Sequence, residues 1–127
     1  MKLLASIILL ASPLAHSATI PERLYDIDYE FYQMVNKTNI CVLSMNDSNR
    51  KPGSLDNCRD ALSIEKKDIK RLKNKFIKQT NRYKERKHKL TEHSRYWSKE
   101  YIFKIKERVK DLKTNTRLIY KRNKTSG

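Results

Sequence analysis

Glycine, cysteine and histidine are scarce in this 127-residue chain, and each scarcity narrows what the protein can do. Two glycines leave no glycine-rich loop of the kind that cradles phosphate groups. Two cysteines and three histidines do not provide a ligand set at zinc spacing. There is no G-x-S-x-G motif and no catalytic cysteine with a paired histidine. The sequence therefore predicts a protein that is not an enzyme, takes no small-molecule substrate, and uses neither a cofactor nor a metal.

Acidic residues are also few, and the charges are unevenly distributed. The chain has 29 Lys and Arg residues against 14 Asp and Glu residues, a formal net charge of +15. Residues 19–58 hold four basic and six acidic side chains, whereas residues 59–127 hold 24 basic and eight acidic ones. Such asymmetry between two halves indicates an anionic partner for the basic half.

The one long apolar run lies at the start of the chain. Lys2 precedes a largely apolar stretch from Leu3 to Leu14, which the small residues Ala15 and Ser17 follow. This pattern is typical of a secretory signal peptide over residues 1–17, cleaved after Ser17. A retained membrane anchor is the alternative, although a spanning helix needs about 20 apolar residues. We therefore expect a secreted or periplasmic protein whose single domain comprises residues 18–127.

From residue 20 onward, apolar residues recur at helical spacing. Seven residues follow one another at alternating intervals of three and four, as along one face of a helix: Leu24, Ile27, Phe31, Met34, Thr38, Cys41 and Met45. Thr19 and Glu22 form a capping-box pattern before them, so we expect a first helix over about 20–46. Residues 46–54, which contain Pro52 and Gly53, are expected to form a turn.

The helical pattern then continues without proline or glycine from Ser54 to Ser126. A second row of apolar residues runs from Leu55 to Trp97, capped by Ser54, and a third register starts at Ile102. One helix of about 100 Å would fit this pattern. We favour a break near residues 94–98, with helices over about 55–92 and 95–123. The expected fold is all-α: a disulfide-stapled antiparallel helical hairpin extended into a three-helix bundle or a long coiled-coil-like helix.

The two cysteines, Cys41 and Cys58, lie on either side of the predicted turn. Each lies on the apolar face of its helix, and in an antiparallel hairpin the two positions face one another. In an oxidising compartment an even number of cysteines indicates a disulfide. We therefore predict a Cys41–Cys58 bond that joins the ends of the two helices.

Many of the basic residues in the second half are spaced four apart, so they repel one another along a helix face. An anionic ligand would relieve this repulsion, and ten residues are therefore candidate anion-binding residues: Lys66, Lys67, Lys70, Arg71, Lys75, Arg82, Arg86, Lys110, Arg117 and Lys121. The expected partner is either a protein, as for an inhibitor, immunity or accessory protein, or an anionic envelope component. Peripheral contact with anionic lipid is an alternative. Export makes nucleic acid a poor candidate, although an extracytoplasmic nucleic-acid binder would have the same charge.

Part of the second half resembles a known family. The order Cys58, Leu62, Asp68, Leu72, Phe76, Leu90, Arg95 and Trp97 is similar to that of the LprI-like family of small exported helical proteins, some of which inhibit lysozyme. Ser94 stands where that family usually has glutamine, Glu100 stands near an expected arginine, and the closing cysteine is missing. The resemblance implies an exported helical inhibitor. Charge opposes inhibition of animal-type lysozymes, since these are usually basic and would be repelled.

Overall fold

The computed structural model describes residues 18–125, and this part of the chain is entirely α-helical and connecting segments. Its α-helices are α1 (Ile20–Ser48), α2 (Arg59–Leu62), α3 (Lys66–Arg86) and α4 (Glu92–Thr125). Short 3₁₀ helices occupy Pro52–Ser54, Asp56–Cys58 and Lys87–Lys89. The all-α fold predicted from the sequence is therefore confirmed, while the predicted signal peptide lies outside the described residues.

Helix α1 begins and ends where local chemistry favours a boundary. Thr19 Oγ1 accepts a hydrogen bond from the Glu22 amide at 3.4 Å and donates one to Glu22 Oε1 at 3.0 Å. At the other end Asn49 adopts a left-handed conformation with φ 54°, and its amide donates to the Met45 carbonyl. Asparagine tolerates this conformation better than most residues, so it makes a suitable helix terminus. The helix extends two residues beyond the predicted end.

The prediction of a continuous second helix over 55–92 is wrong for the residues before Lys66. Leu55 is extended, α2 has a single turn, and α3 begins only at Lys66. Ser54 lies in a 3₁₀ helix instead of capping a helix, because its hydroxyl donates to the Lys51 carbonyl. Ser63 likewise donates to the Asp60 carbonyl at 2.7 Å, and such local bonds compete with helix continuation.

A second interruption separates α3 from α4, a few residues before the predicted break. Leu90 is extended, and Thr91 Oγ1 accepts a hydrogen bond from the Ser94 amide at 3.1 Å, so Thr91 caps α4, which begins three residues before the predicted start at 95. The Arg95 side chain donates to the carbonyls of Lys87 and Leu90, at 3.2 and 2.8 Å. These bonds fix the turn that returns the chain for α4.

The three long helices run up, down and up. Cys58 bonds to Cys41, and Arg71 lies near Glu30. The residue number of the partner on α1 therefore decreases as the chain advances into α3. This pairing makes α1 and α3 antiparallel. In the contacts between α1 and α4, the residue numbers on both helices instead increase together, from Asp28 with Arg108 to Met45 with Arg122. Helix α4 is therefore parallel to α1.

The core follows the apolar rows predicted for α1 and α4. Leu24 and Phe31 of α1 pack in one cluster with Leu72 of α3 and Ile105 and Leu112 of α4. A second cluster surrounds the disulfide and includes Met45, Ala61 and Ile119. Leu62, which was expected on the apolar face, is 49% exposed because the chain departs from the helix at Ser63.

The predicted disulfide is present, with 4.4 Å between the Cα atoms of Cys41 and Cys58. Both half-cystines are fully buried, and the bond connects the end of α1 to the segment that leads into α2. None of the helices within residues 18–125 is long and apolar enough to cross a membrane.

Candidate anion-binding surface

The outward side of α3 presents a row of cations. Lys67, Lys70, Arg71, Lys75 and Lys78 line a shallow groove of about 450 Å³ together with Asn74. Their spacing of three and four residues places them on one face of the helix. Leu72 and Tyr83 of the same helix are buried against the other helices. We call these five cations the α3 basic face.

Neighbouring carboxylates neutralise only part of the α3 basic face. Lys67 Nζ lies 3.2 Å from Glu65, and the Arg71 guanidinium lies 3.9 Å from Glu30 and 4.0 Å from Asp68. Lys70, Lys75 and Lys78 make no ion pair with any residue that the structure describes. Three cations of this face are thus available to a ligand.

The other predicted anion-binding residues are distributed over several surfaces. Arg82 and Arg86 continue α3 at intervals of four, with Arg82 half-buried and Arg86 exposed. Lys66 points to a different groove, which it lines with Leu62 and Tyr120.

The three predicted residues of α4 do not join the α3 row. Lys110 and Arg117 are exposed on α4. Lys121 lines a crevice with Met45 and Leu118, at the end of α1. The predicted set of ten is therefore divided, and only the four of its residues that lie from Lys67 to Lys75 share one groove.

Lys78 belongs to this groove but was missing from the predicted residues. Its spacing already indicated it, because Arg82 lies four positions after it and Lys75 lies three positions before it.

An aromatic cluster also lies between α1 and α4, and the spacing of residues in the sequence did not predict it. Tyr25 and Tyr101 meet edge to face at 5.6 Å, and Trp97 stacks on Tyr101 at 5.6 Å. These three rings line a cleft of about 510 Å³ that also contains the carboxylates of Glu22 and Asp26. The apolar row of α1 gave no sign of the cluster because Tyr25 lies beside that row and is half-exposed.

The cluster perturbs one ionisable group. The pKa of Tyr101 is raised above its usual value of 10.0, chiefly by desolvation and further by the neighbouring Tyr25 and Asp28. Each of these effects disfavours the phenolate, so Tyr101 stays a neutral ring over the physiological range.

Four buried polar atoms within the described residues have no hydrogen-bond partner: Gln79 Oε1, Thr80 Oγ1, Tyr83 Oη and Ser98 Oγ. Three belong to one stretch of α3, and Ser98 lies on α4. An unpaired buried polar group costs about 1–3 kcal/mol. Four such atoms on neighbouring segments are therefore unusual. No group of three or more metal-ligating side chains occurs among residues 18–125.

No family model matches this chain, and neither the curated proteins nor the solved structures include a match. The resemblance to LprI-like proteins consequently stays a prediction.

Proposed function

We propose that this chain is an exported, non-enzymatic binding protein that holds an anionic partner on the α3 basic face. The observation that carries the proposal is the set of Lys70, Lys75 and Lys78, which lie on one open helix face and form no ion pair with any of residues 18–125. Arg71 and Lys67 border them and add charge that the nearby carboxylates only partly offset.

The arrangement favours a partner with several negative charges. Cations spaced three and four residues apart on a helix repel one another, and each such pair costs about 0.2–0.5 kcal/mol. A partner with one phosphate or carboxylate can meet only some of these cations. A polyanion or an anionic surface can meet all of them, at about 1 kcal/mol for each basic residue near the surface.

Binding suits this surface better than chemistry does. The side chains in the groove are amines, one guanidinium and the amide of Asn74. Such groups position an anion but offer no nucleophile with a paired base.

Export is supported by two features. The apolar leader resembles a signal peptide, and the buried Cys41–Cys58 bond is of the kind that persists in oxidising compartments. An exported polycation meets phosphate-bearing lipids and polymers of the envelope before it meets nucleic acid. We therefore propose an anionic envelope component as the partner.

Titration with long-chain polyphosphate by calorimetry tests this proposal. If three lysines each neutralise one phosphate, the logarithm of the binding constant should fall with the logarithm of salt concentration at a slope of about −2 to −3. Affinity should therefore fall about 20- to 40-fold between 50 and 200 mM salt.

Two results would overturn the proposal. One is the absence of binding at 50 mM salt, and the other is binding that salt leaves unchanged. Tight, salt-insensitive binding to a single protein would instead support an inhibitor or immunity role.

A further inference from the structure

A second groove, separate from the α3 basic face, lies between α3 and α4. It has a volume of about 410 Å³, within the range of about 300–1,000 Å³ usual for small-molecule sites. Residues of both helices line it, and we call it the α3–α4 groove. The two helices pack mainly on α1 and only weakly on each other, which leaves this side of the bundle open.

The α3–α4 groove has an apolar portion. Ile102 is partly buried against the core, whereas Phe103 is 63% exposed. Removing an exposed ring from water is favourable, and an apolar chain that lies on Phe103 and Ile102 would do so. This portion favours a ligand with an alkyl or acyl chain.

Lysines surround the apolar portion from both helices. Lys84 and Lys87 come from the α3 side, and Lys99 and Lys106 come from α4. None of the four makes an ion pair with a residue between 18 and 125. Four cations that converge on one groove favour an anionic group on the ligand.

The groove is also lined by two of the residues whose hydroxyls lack a partner. Thr80 Oγ1 and Tyr83 Oη are buried and make no hydrogen bond within the described part of the chain. Both oxygens are shielded from solvent, so a ligand in the groove would reach them only after neighbouring side chains move. The lysines are therefore the groups that favour an anionic headgroup.

We propose that the α3–α4 groove binds a single-chain amphiphile with an anionic headgroup, either a carboxylate or a phosphate. The chain covers Phe103 and Ile102, and the headgroup lies among the lysines near Tyr83. A polyanion would leave Phe103 uncovered, and a neutral apolar ligand would leave the lysines unpaired. Because it uses a different side of α3, this proposal does not depend on the proposed function.

Calorimetric titration with four soluble probes tests the ligand class. Dodecanoate and dodecyl phosphate, each below its micelle concentration, are expected to bind with one site per chain. Butyl phosphate lacks most of the chain, and dodecyl maltoside lacks the charge, so each should bind about tenfold more weakly or worse. Equal binding of dodecyl maltoside, or equal binding of butyl phosphate, would overturn the proposal. Preference for only one of the two anionic probes identifies the headgroup.

Paired variants test the location. Phe103→Ser and Lys84→Gln/Lys106→Gln should each weaken the binding of dodecyl phosphate by about tenfold. Tyr120→Ser, another exposed aromatic on α4, and Lys70→Gln/Lys75→Gln on the α3 basic face should leave that affinity unchanged. All of these side chains are exposed, so circular dichroism should show intact folding. If the control variants weaken the binding of dodecyl phosphate as much as the groove variants do, the site is not the α3–α4 groove.

The same variants separate this proposal from the proposed function. Lys84→Gln/Lys106→Gln should retain polyphosphate binding, and Lys70→Gln/Lys75→Gln should weaken it by about thirtyfold. Loss of amphiphile binding alone would therefore implicate only the α3–α4 groove.

Discussion

Asn115 of α4 donates a hydrogen bond to Thr38 Oγ1 of α1 at 3.0 Å, in the buried seam where the two parallel helices meet. A second bond from the same amide reaches Asn39 Oδ1 at 2.7 Å. The Thr38 hydroxyl in turn lies 2.9 Å from the Met34 carbonyl, to which it donates. One amide thus joins α4 to α1 between the two apolar clusters.

Replacing Asn115 by alanine should lower the free energy of unfolding by about 1–2 kcal/mol, because two interhelical hydrogen bonds are lost in a largely buried setting. The neighbouring Thr114 is exposed, and its hydroxyl bonds only to the Lys110 carbonyl of the same helix. Thr114→Ala is therefore the matched control and should leave stability nearly unchanged. Urea unfolding followed by circular dichroism measures both. Equal midpoints for the two variants would contradict the role of Asn115.

Replacing both cysteines by serine should lower the free energy of unfolding by about 3 kcal/mol. The bond closes a sequence separation of 17 residues, and its loss gives the unfolded chain more conformational freedom. Thermal denaturation of the parent and of Cys41→Ser/Cys58→Ser, with and without reductant, checks this expectation. Reductant should lower the melting temperature of the parent towards that of the variant and leave the melting temperature of the variant unchanged. Identical melting curves for both proteins would refute the stabilising role.

The ion pair between α1 and α4 should contribute measurably to stability. Arg108 Nε lies 3.3 Å from Asp28 Oδ1, the side chains are 31% and 10% exposed, and the guanidinium also lies over the Tyr32 ring at 4.9 Å. A double-mutant cycle with Asp28→Asn and Arg108→Gln should give a coupling energy of about 1 kcal/mol. The same cycle on the exposed Arg59–Asp56 pair serves as the control and should show no coupling. The interpretation fails if the two cycles agree.

Tyr101 should make the protein less stable in alkali. Its pKa in the folded state is raised above 10.0, chiefly by desolvation, so the unfolded state releases this proton first as the pH rises. The contribution is complete below pH 10 and is lost as the pH rises through the folded-state pKa. Tyr101→Phe should therefore show a shallower fall in stability above pH 10 than the parent. An unchanged alkaline slope would show that Tyr101 does not titrate differently on unfolding.

The sequence predicted the parts of the fold that repeat. Ile105, Leu112 and Ile119 recur at intervals of seven and are all buried, as their spacing indicated. The Cys41–Cys58 bond was predictable because both cysteines belong to apolar rows of the sequence on either side of a turn, although Cys58 lies in a 3₁₀ segment and not in the predicted helix. The breaks were harder, because Ser63 and Thr91 act through single local hydrogen bonds that leave no periodic signal.

The candidate sites divide along the same line. The α3 basic face was largely predictable because its residues belong to one helix and share a face through spacing alone. The α3–α4 groove was not, since Lys84 and Lys106 come together only through the packing of two helices. The cleft at Tyr25 and Tyr101 depends in the same way on the parallel arrangement of α1 and α4, which the sequence left open.

The most direct test of the α3 basic face compares two triple variants that lose the same net charge. Lys70→Gln/Lys75→Gln/Lys78→Gln removes the three cations of this face that make no ion pair within the described part of the chain, whereas Lys37→Gln/Lys51→Gln/Lys124→Gln removes three exposed lysines elsewhere. Glutamine matches lysine in helix propensity, so both variants should fold normally.

In polyphosphate titrations at 50 mM salt, the first triple variant should lose affinity by about a hundredfold, together with most of its salt dependence. The second should keep an affinity close to that of the parent. Equal losses in the two variants would mean that binding follows net charge alone, and would contradict a specific site on α3.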